Sequence, residues 1–383
     1  MSMAPLDGLK VLELARILAG PWMGQTLSDL GADVIKIESP EGDDTRTWGP
    51  PFIERDDDRS AAYFHACNRG KRSVTADFTT DEGRDLVRRL ALSADVLIEN
   101  FKVGGLAKYG LDYESLKALN PRLIYCSVTG FGQTGPYASR AGYDFMIQGM
   151  SGIMDLTGDP AGEPQKIGVA FADIFTGVYG VIGIQAALIQ REKTGLGQHV
   201  DMALFDCMTG VLANQAMNFL ASGTVPKRLG NAHPNIAPYQ TFPVADGHLI
   251  IACGNDGQYA RLAQILDVPV DERFTTNALR IKNRDVLTAT LETKTRSWTR
   301  DELLAALEKS GVPAGPINTV ADVFDDPQFQ HRQMQTDAGG VPGLRTPLTF
   351  SDATLKLGGR SPARGGDTQT VVDALAHFSD WPS

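Results

Sequence analysis

The strongest constraint on this chain is the rhythm of residues 1–130, where short apolar runs alternate with segments of helical periodicity. Lys10–Leu14, Asp33–Glu38, Ser73–Phe78, Asp95–Glu99 and Leu123–Val128 read as strands. Pro21–Leu30 reads as a helix with proline preorganised at its start. A second helix follows Thr79, which stands three residues before Glu82, with Leu86 and Leu90 on one face. Strands separated by helices require crossover connections, so the expected class is α/β, a doubly wound parallel sheet covered on both faces. Such sheets gather ligands beyond the carboxyl ends of their strands. The segments to inspect are therefore 15–21, 39–52, 100–110 and 129–144.

Beyond residue 150 the texture changes. Two long helices are expected at Ile174–Gln190 and Ala203–Leu220, with a short strand at Gly197–Asp201 between them. Ala245-Asp246-Gly247 reads as a hairpin turn joining Tyr239–Val244 to His248–Ala252. Thr299 and Glu302 form a capping box for a helix that stops at Gly311-Val312-Pro313. Strand character returns over Leu344–Leu357. The expected organisation is a large domain begun by 1–200, a linker helix at 201–224, a smaller α+β domain at 225–325, and a segment 326–383 returning to the large domain.

With 46 acidic and 36 basic side chains, the net charge of -10 argues against general binding of nucleic acid or anionic membranes. Cys67, Cys126, Cys207 and Cys253 are far apart and form neither a disulfide framework nor a zinc site. The six histidines are equally dispersed, so no metal is expected. Met1–Lys10 lacks a secretory layout, and a cytoplasmic location is expected. Gly168–Ile189 has about the length of a membrane span but carries Asp173, Gln185 and several glycines, which favours a buried helix.

Three features invite chemistry. Gly130-Phe131-Gly132-Gln133-Thr134-Gly135 fits a dinucleotide fingerprint literally, yet lacks the following helix and later ribose-binding acid, so a tight loop near a ligand is the better reading. The basic run Arg69-Gly70-Lys71-Arg72, with Arg46 and Lys108 elsewhere, could gather around phosphates or be a solvated charge run. Asp173 is a lone carboxylate in an apolar stretch. Spacing favours a helix N-cap, and a carboxylate nucleophile at that helix end is compatible with it. No GxSxG elbow is present.

The chain resembles the class III CoA-transferases, the CaiB/BaiF family. The resemblance runs through Leu18-Ala19-Gly20-Pro21, Leu30-Gly31-Ala32-Asp33-Val34-Ile35-Lys36-Ile37-Glu38, Asn68-Arg69-Gly70-Lys71-Arg72-Ser73, Glu99-Asn100-Phe101, Gly130–Pro136, Ala172-Asp173 and Thr194-Gly195-Leu196-Gly197-Gln198. It ends at Gly311-Val312-Pro313-Ala314-Gly315-Pro316. It implies a Rossmann-like large domain, a small domain and an interlocked homodimer. It also implies acyl-CoA and carboxylic acid substrates, coenzyme A as a substrate, and no tightly bound cofactor. The family's aspartate nucleophile matches Asp173, and family positions lining the CoA channel match Asn68, Lys71, Arg72, Asn100, Phe101, Lys108, Tyr143 and Asp144.

A sister branch of the family racemises 2-methylacyl-CoA with a Gly-His-Asp motif. Here the triplet is Gly142-Tyr143-Asp144, and a tyrosine with an ordinary pKa of ~10 is a poor enolising base, which favours transfer. Gly42–Phe52 and Ala232–Gln240 look like the dicarboxylate branch, which includes succinate–hydroxymethylglutarate CoA-transferases. A second substrate carboxylate calls for an arginine: Arg16 is the first choice, with Arg46 behind it, as a substrate or CoA contact. A non-catalytic CoA-binding protein is the alternative from another class, and an intact Asp173 argues against it. The chain departs from the family at Ser39-Pro40, where many members carry arginine after the second strand, and at Arg364-Gly365-Gly366-Asp367-Thr368.

Overall fold

The computed structural model describes residues 3–55, 58–377 and 381–382. In chain order its main elements begin with β1 (Lys10–Glu13), α1 (Ala19–Asp29), β2 (Asp33–Glu38), β3 (Arg72–Thr75), α2 (Asp81–Ser93), β4 (Val96–Glu99) and β5 (Ile124–Thr129). Then come α3 (Asp144–Met150), α4 (Phe171–Thr194), β6 (His199–Ala203), α5 (Leu204–Gly210) and α6 (Ala213–Ser222). The six strands form one sheet in the order β3-β2-β1-β4-β5-β6, and every neighbouring pair is parallel. That is the Rossmann strand order, with its topological switch between β1 and β4.

Period-two alternation explains why both faces are covered. Val11, Val34, Val96, Ile98, Ile124 and Cys126 point to the face packed by α1 and α4. Leu12, Leu14, Ile35, Ile37, Leu97 and Tyr125 point to the other, against Val87 and Leu90 of α2 and Val371 and Leu375 near the C-terminus. Each fully buried branched side chain contributes ~1.5–3 kcal/mol. A one-residue slip of any strand would exchange the two sets, so the register is firmly specified.

The expected strands recur close to their expected bounds; the departures have local causes. Thr80, not Thr79, caps α2 by accepting the Gly83 amide at 3.1 Å, while the Thr79 hydroxyl is held by Asp77. The helix expected over Ala203–Leu220 breaks into α5 and α6, with Ala213 in the left-handed region at φ 44°. Of Leu344–Leu357 only Leu344 is in a strand, Pro342–Leu344, which pairs with Gln335–Asp337; Pro347 cannot donate to a ladder and the rest is irregular. The 364–368 departure serves as a latch. The Asp367 carboxylate accepts the Ser73 amide at 2.8 Å, and the Thr368 hydroxyl accepts the Thr75 amide at 2.9 Å.

α4 is longer than expected. It is apolar and long enough to cross a membrane by length and composition, but Val181, Ile184 and Ala187 belong to the buried core. Val178, Tyr179, Ile182 and Ile189 remain exposed.

The chain divides into two compact units, one of residues 1–153, 166–217 and 328–383, the other of 154–165 and 218–327. The second unit includes 154–165, a segment expected to belong to the large domain, and it divides the expected linker helix. Arg228 ties the segment in by pairing with the Asp155 carboxylate at 3.1 Å and donating to the carbonyls of Asp159 and Gly162. This unit holds a three-stranded antiparallel sheet of β7 (Tyr239–Val244), β8 (Gly247–Ala252) and β9 (Ala314–Pro316). The hairpin falls where the sequence placed it. Thr299 and Glu302 make their capping box on Arg300–Lys309, whose Leu303 and Leu307 join Phe242, Leu249 and Leu287 in the unit's core.

Candidate active site

A cleft of about 280 Å³ opens in the first unit at the switch point, beyond the ends of β1, β4 and β5. Arg16–Ala19 after β1, Asn100–Val103 after β4, and Ala138–Asp144 with Asp173 surround it. The position follows from topology: where strand order reverses, the loops of β1 and β4 part and leave a crevice.

Asp173 is the third residue of α4 and is half-buried. Ala170 occupies the N-cap position and supplies no side-chain cap, so Asp173 is not the cap that its spacing suggested. The cap comes from another helix. Asp144, the first residue of α3, accepts the amides of Ala172 at 2.8 Å and Asp173 at 3.3 Å on the same Oδ1. Its Oδ2 accepts from Gln148 Nε2 at 2.8 Å, and the buried Gln148 in turn accepts the Ile167 amide at 2.9 Å.

Among the described residues the Asp173 carboxylate has no salt-bridge partner. Burial, and then the neighbouring Asp144 charge, push its pKa up to about 7. Glu99, at the end of β4, is also raised to about 7, chiefly by burial and against the opposing hydrogen bonds from Ser127 and the Phe101 amide.

The stretch of cleft wall after β1 is held under strain. Ile17 adopts φ 73°, a left-handed conformation costly for a β-branched residue. Both Asp43 carboxylate oxygens face its amide at 3.3 and 3.4 Å, and the buried Lys36 anchors Asp43 at 2.9 Å. Asn100 clamps the preceding residue: its Oδ1 accepts the Arg16 amide at 2.9 Å and its Nδ2 donates to the Arg16 carbonyl at 2.7 Å.

The structure brings Arg16, Asn100, Phe101, Tyr143, Asp144 and Asp173 together around the cleft. Arg16 is exposed, pairs with Asp44 at 3.0 Å and lies 5.9 Å from the Phe101 ring centroid. The other expected contacts lie outside the lining of this cleft. Lys71 Nζ is buried between Glu13 at 2.8 Å, the Pro21 carbonyl and the Asn68 side chain, while Asn68 Nδ2 donates to the Phe64 carbonyl. Arg46 forks onto Glu38 at 2.6 and 2.8 Å and stacks 3.6 Å from the Phe64 centroid. Arg72 forks onto Asp33, and Arg69 pairs with Asp29 at 2.6 Å. Buried cations must be paired, and these are. Lys108 is exposed, with its ammonium 4.7 Å from the Tyr109 centroid and outside the cleft lining. In the glycine loop, a Cβ on Gly130 would meet the Gly142 backbone at 2.5 Å, so the close approach at that position is by the chain itself.

Sequence reasoning missed Lys102 and Arg140, which also line the cleft. Arg140 rides 4.6 Å from the Tyr137 centroid. Both lie in post-strand segments that topology had marked, and that position was the available signal.

The model of the CoA-transferase family III matches residues 6–368. The chain belongs to that family. It is an acyl-CoA:carboxylate CoA-transferase by kinship over nearly its whole length. It is 58% identical over 382 residues to the succinate–glutarate CoA-transferase of Agrobacterium fabrum, covering 97% of this chain and 96% of that one. It is 42% identical to the human succinyl-CoA:glutarate CoA-transferase, covering 98% of this chain and 87% of the relative. A crystal structure of a CaiB/BaiF family protein from Brucella suis superposes with a TM-score of 0.90 at 72% identity, covering 98% and 100% of the two chains.

Proposed function

We propose that this transferase moves CoA from succinyl-CoA to a short dicarboxylic acid of the glutarate class, with Asp173 as covalent relay. The relatives named for succinyl-CoA and glutarate support the substrates. The observation that carries the relay is the half-buried Asp173 carboxylate at the start of α4, lining the cleft and in no salt bridge among the described residues.

Its Oδ attacks the thioester carbonyl, forming a mixed anhydride and expelling CoA thiolate. The thiolate attacks the Asp173 carbonyl, breaks the anhydride, and leaves an aspartyl-CoA thioester and free succinate. The acceptor carboxylate attacks that thioester to form a second anhydride, and the released thiolate takes the acceptor's acyl carbon, restoring Asp173. Each step exchanges one activated acyl bond for another, so no external energy source enters. Low hydration around Asp173 protects the anhydrides and strengthens the nucleophile once ionised.

Arg16 receives the distal carboxylate, exchanging Asp44 for substrate. Asn100, Phe101 and Tyr143 border the path of the pantetheine arm, and Lys108 stays available to a phosphate on the surface. An interlocked homodimer would cover the exposed apolar residues Val178, Tyr179, Ile182 and Ile189 of α4. Four free, buried cysteines suit a reducing, cytoplasmic setting.

The test is hydroxylamine trapping during turnover with succinyl-CoA. A hydroxamate at Asp173 by peptide mass spectrometry is expected; labelling at another carboxylate would displace Asp173 from the mechanism.

A further inference from the structure

We propose that Asp144 is a positioning residue, the borrowed cap that fixes the first turn of α4 and thereby the aim and ionisation of Asp173. The proposal rests on the reading of Asp173 as nucleophile, and it departs from the CoA-contact role that the resemblance gives to Asp144.

The geometry is specific. A helix begins with amides that lack internal partners, and the N-cap of α4 is Ala170, whose methyl group cannot satisfy them. Asp144 Oδ1 accepts two of these amides, those of Ala172 and of Asp173 itself. The cap therefore bonds to the backbone of the residue whose side chain reacts. Its other oxygen is fixed by Gln148, which is fully buried and tied to the Ile167 amide ahead of α4. Three points of chain, at 144–148, 167 and 172–173, are thus locked into one frame. With both oxygens engaged inside the protein, Asp144 is poorly placed to bind a ligand, and its negative charge would repel a CoA phosphate.

The same charge bears on Asp173 directly. Around Asp173 stand Asp144 of α3 and Tyr143 just ahead of it, Tyr63 from the short helix Ala62–His65, and Arg16, Lys102 and Arg140, which line the same cleft. α5 brings Cys207, which is engaged with Thr176 one turn further along. Tyr63 is itself raised to about 12, first by burial and then by the Asp173 charge, which places it within electrostatic reach of the carboxylate. Of these groups Asp144 is the one whose charge raises Asp173. A like charge held at the helix start keeps the Asp173 carboxylate basic, and a more basic carboxylate is the stronger nucleophile.

The test compares D144N and D144A in the full-length protein. Asparagine keeps an oxygen for the two amides but removes the charge. The acid limb of the kcat/KM profile for succinyl-CoA should move down by about half a pH unit or more, with kcat reduced only a fewfold. Alanine removes the cap as well; kcat should fall about tenfold or more, KM for the CoA thioester should change less than about threefold, and amide exchange at Ala172 and Asp173 should accelerate. If both variants raise KM while leaving kcat, the acid limb and the exchange rates alone, Asp144 is a ligand contact and the proposal fails. Hydroxylamine labelling away from Asp173 would sink the nucleophile reading separately, whereas the exchange measurement reads the cap whatever the nucleophile.

Discussion

Two regions of the first unit, both dense in charge, handle it in opposite ways. Beneath the ends of β1, β2 and β3, the cations Lys36, Arg46, Arg69 and Lys71 are buried and each meets a carboxylate at 2.6–3.1 Å. In the neighbouring cleft, Asp144 and Asp173 share one helix start with no cation paired to either among the described residues, and Glu99 nearby takes hydrogen bonds from Ser127 and the Phe101 amide instead of an ion pair. In the first region Glu38 and Asp43 are held below the ordinary carboxylate range, because burial is outweighed by Arg46 in one case and Lys36 in the other. In the second, burial leads and Asp173 and Glu99 rise toward neutrality. One arrangement locks the fold; the other leaves carboxylates with raised pKa values beside a cleft, as the proposed relay requires.

Exchanging single charges in the two regions should separate them. The largest effect is expected at Asp173: Asp173→Asn should reduce transfer by at least about a thousandfold in a steady-state assay while circular dichroism stays native. Retention of a tenth of the activity would move the comparison's reactive member elsewhere. On the locked side, Lys71→Met leaves Glu13 with Lys36 alone and should cost about 3–5 kcal/mol, read as a lowered midpoint in urea unfolding. An unchanged midpoint would mean that the network is not structural.

Arg16→Ala lies at the border. It should raise KM for dicarboxylate acceptors about tenfold and leave a monocarboxylate acceptor of equal length unaffected. Equal losses for both would make Arg16 a CoA contact instead. The smallest effect is one of stability. A carboxyl with a higher pKa when folded stabilises below its unfolded pKa and loses that contribution as pH rises through about 7. Asp173→Asn should therefore be more stable than the parent at pH 8, on the order of 1–2 kcal/mol after allowing for its partial exposure, with the gain vanishing near pH 4. Transfer in the parent should rise with pH through the same window, since the ionised carboxylate attacks.

The sheet was legible because alternation in runs such as Val11–Leu14 and Ile124–Val128 is a local signal, and the switch-point cleft followed from connectivity. The fate of the charges was not legible. Lys71 finds Glu13 across 58 positions, and Asp144 finds the start of α4 across 28. Sequence spacing alone treats Lys71 and Lys108 alike, although burial makes one a tie and leaves the other free on the surface. Thr79 and Thr80 show the same limit at short range, where adjacent hydroxyls competed for one cap and the backbone path decided. Asp173 stood out through its apolar flanks, but its role as nucleophile came from the family resemblance.

The left-handed turn at Ile17 has a consequence for anyone seeking a hardier version of this protein. Glycine there would relax a backbone that isoleucine occupies only under compulsion from Asp43 and Asn100. The relief would come in the wall of the cleft that Asp173 also lines, so the same change would let that wall wander. Toughness sought at that position would be taken from the accuracy with which substrate is presented.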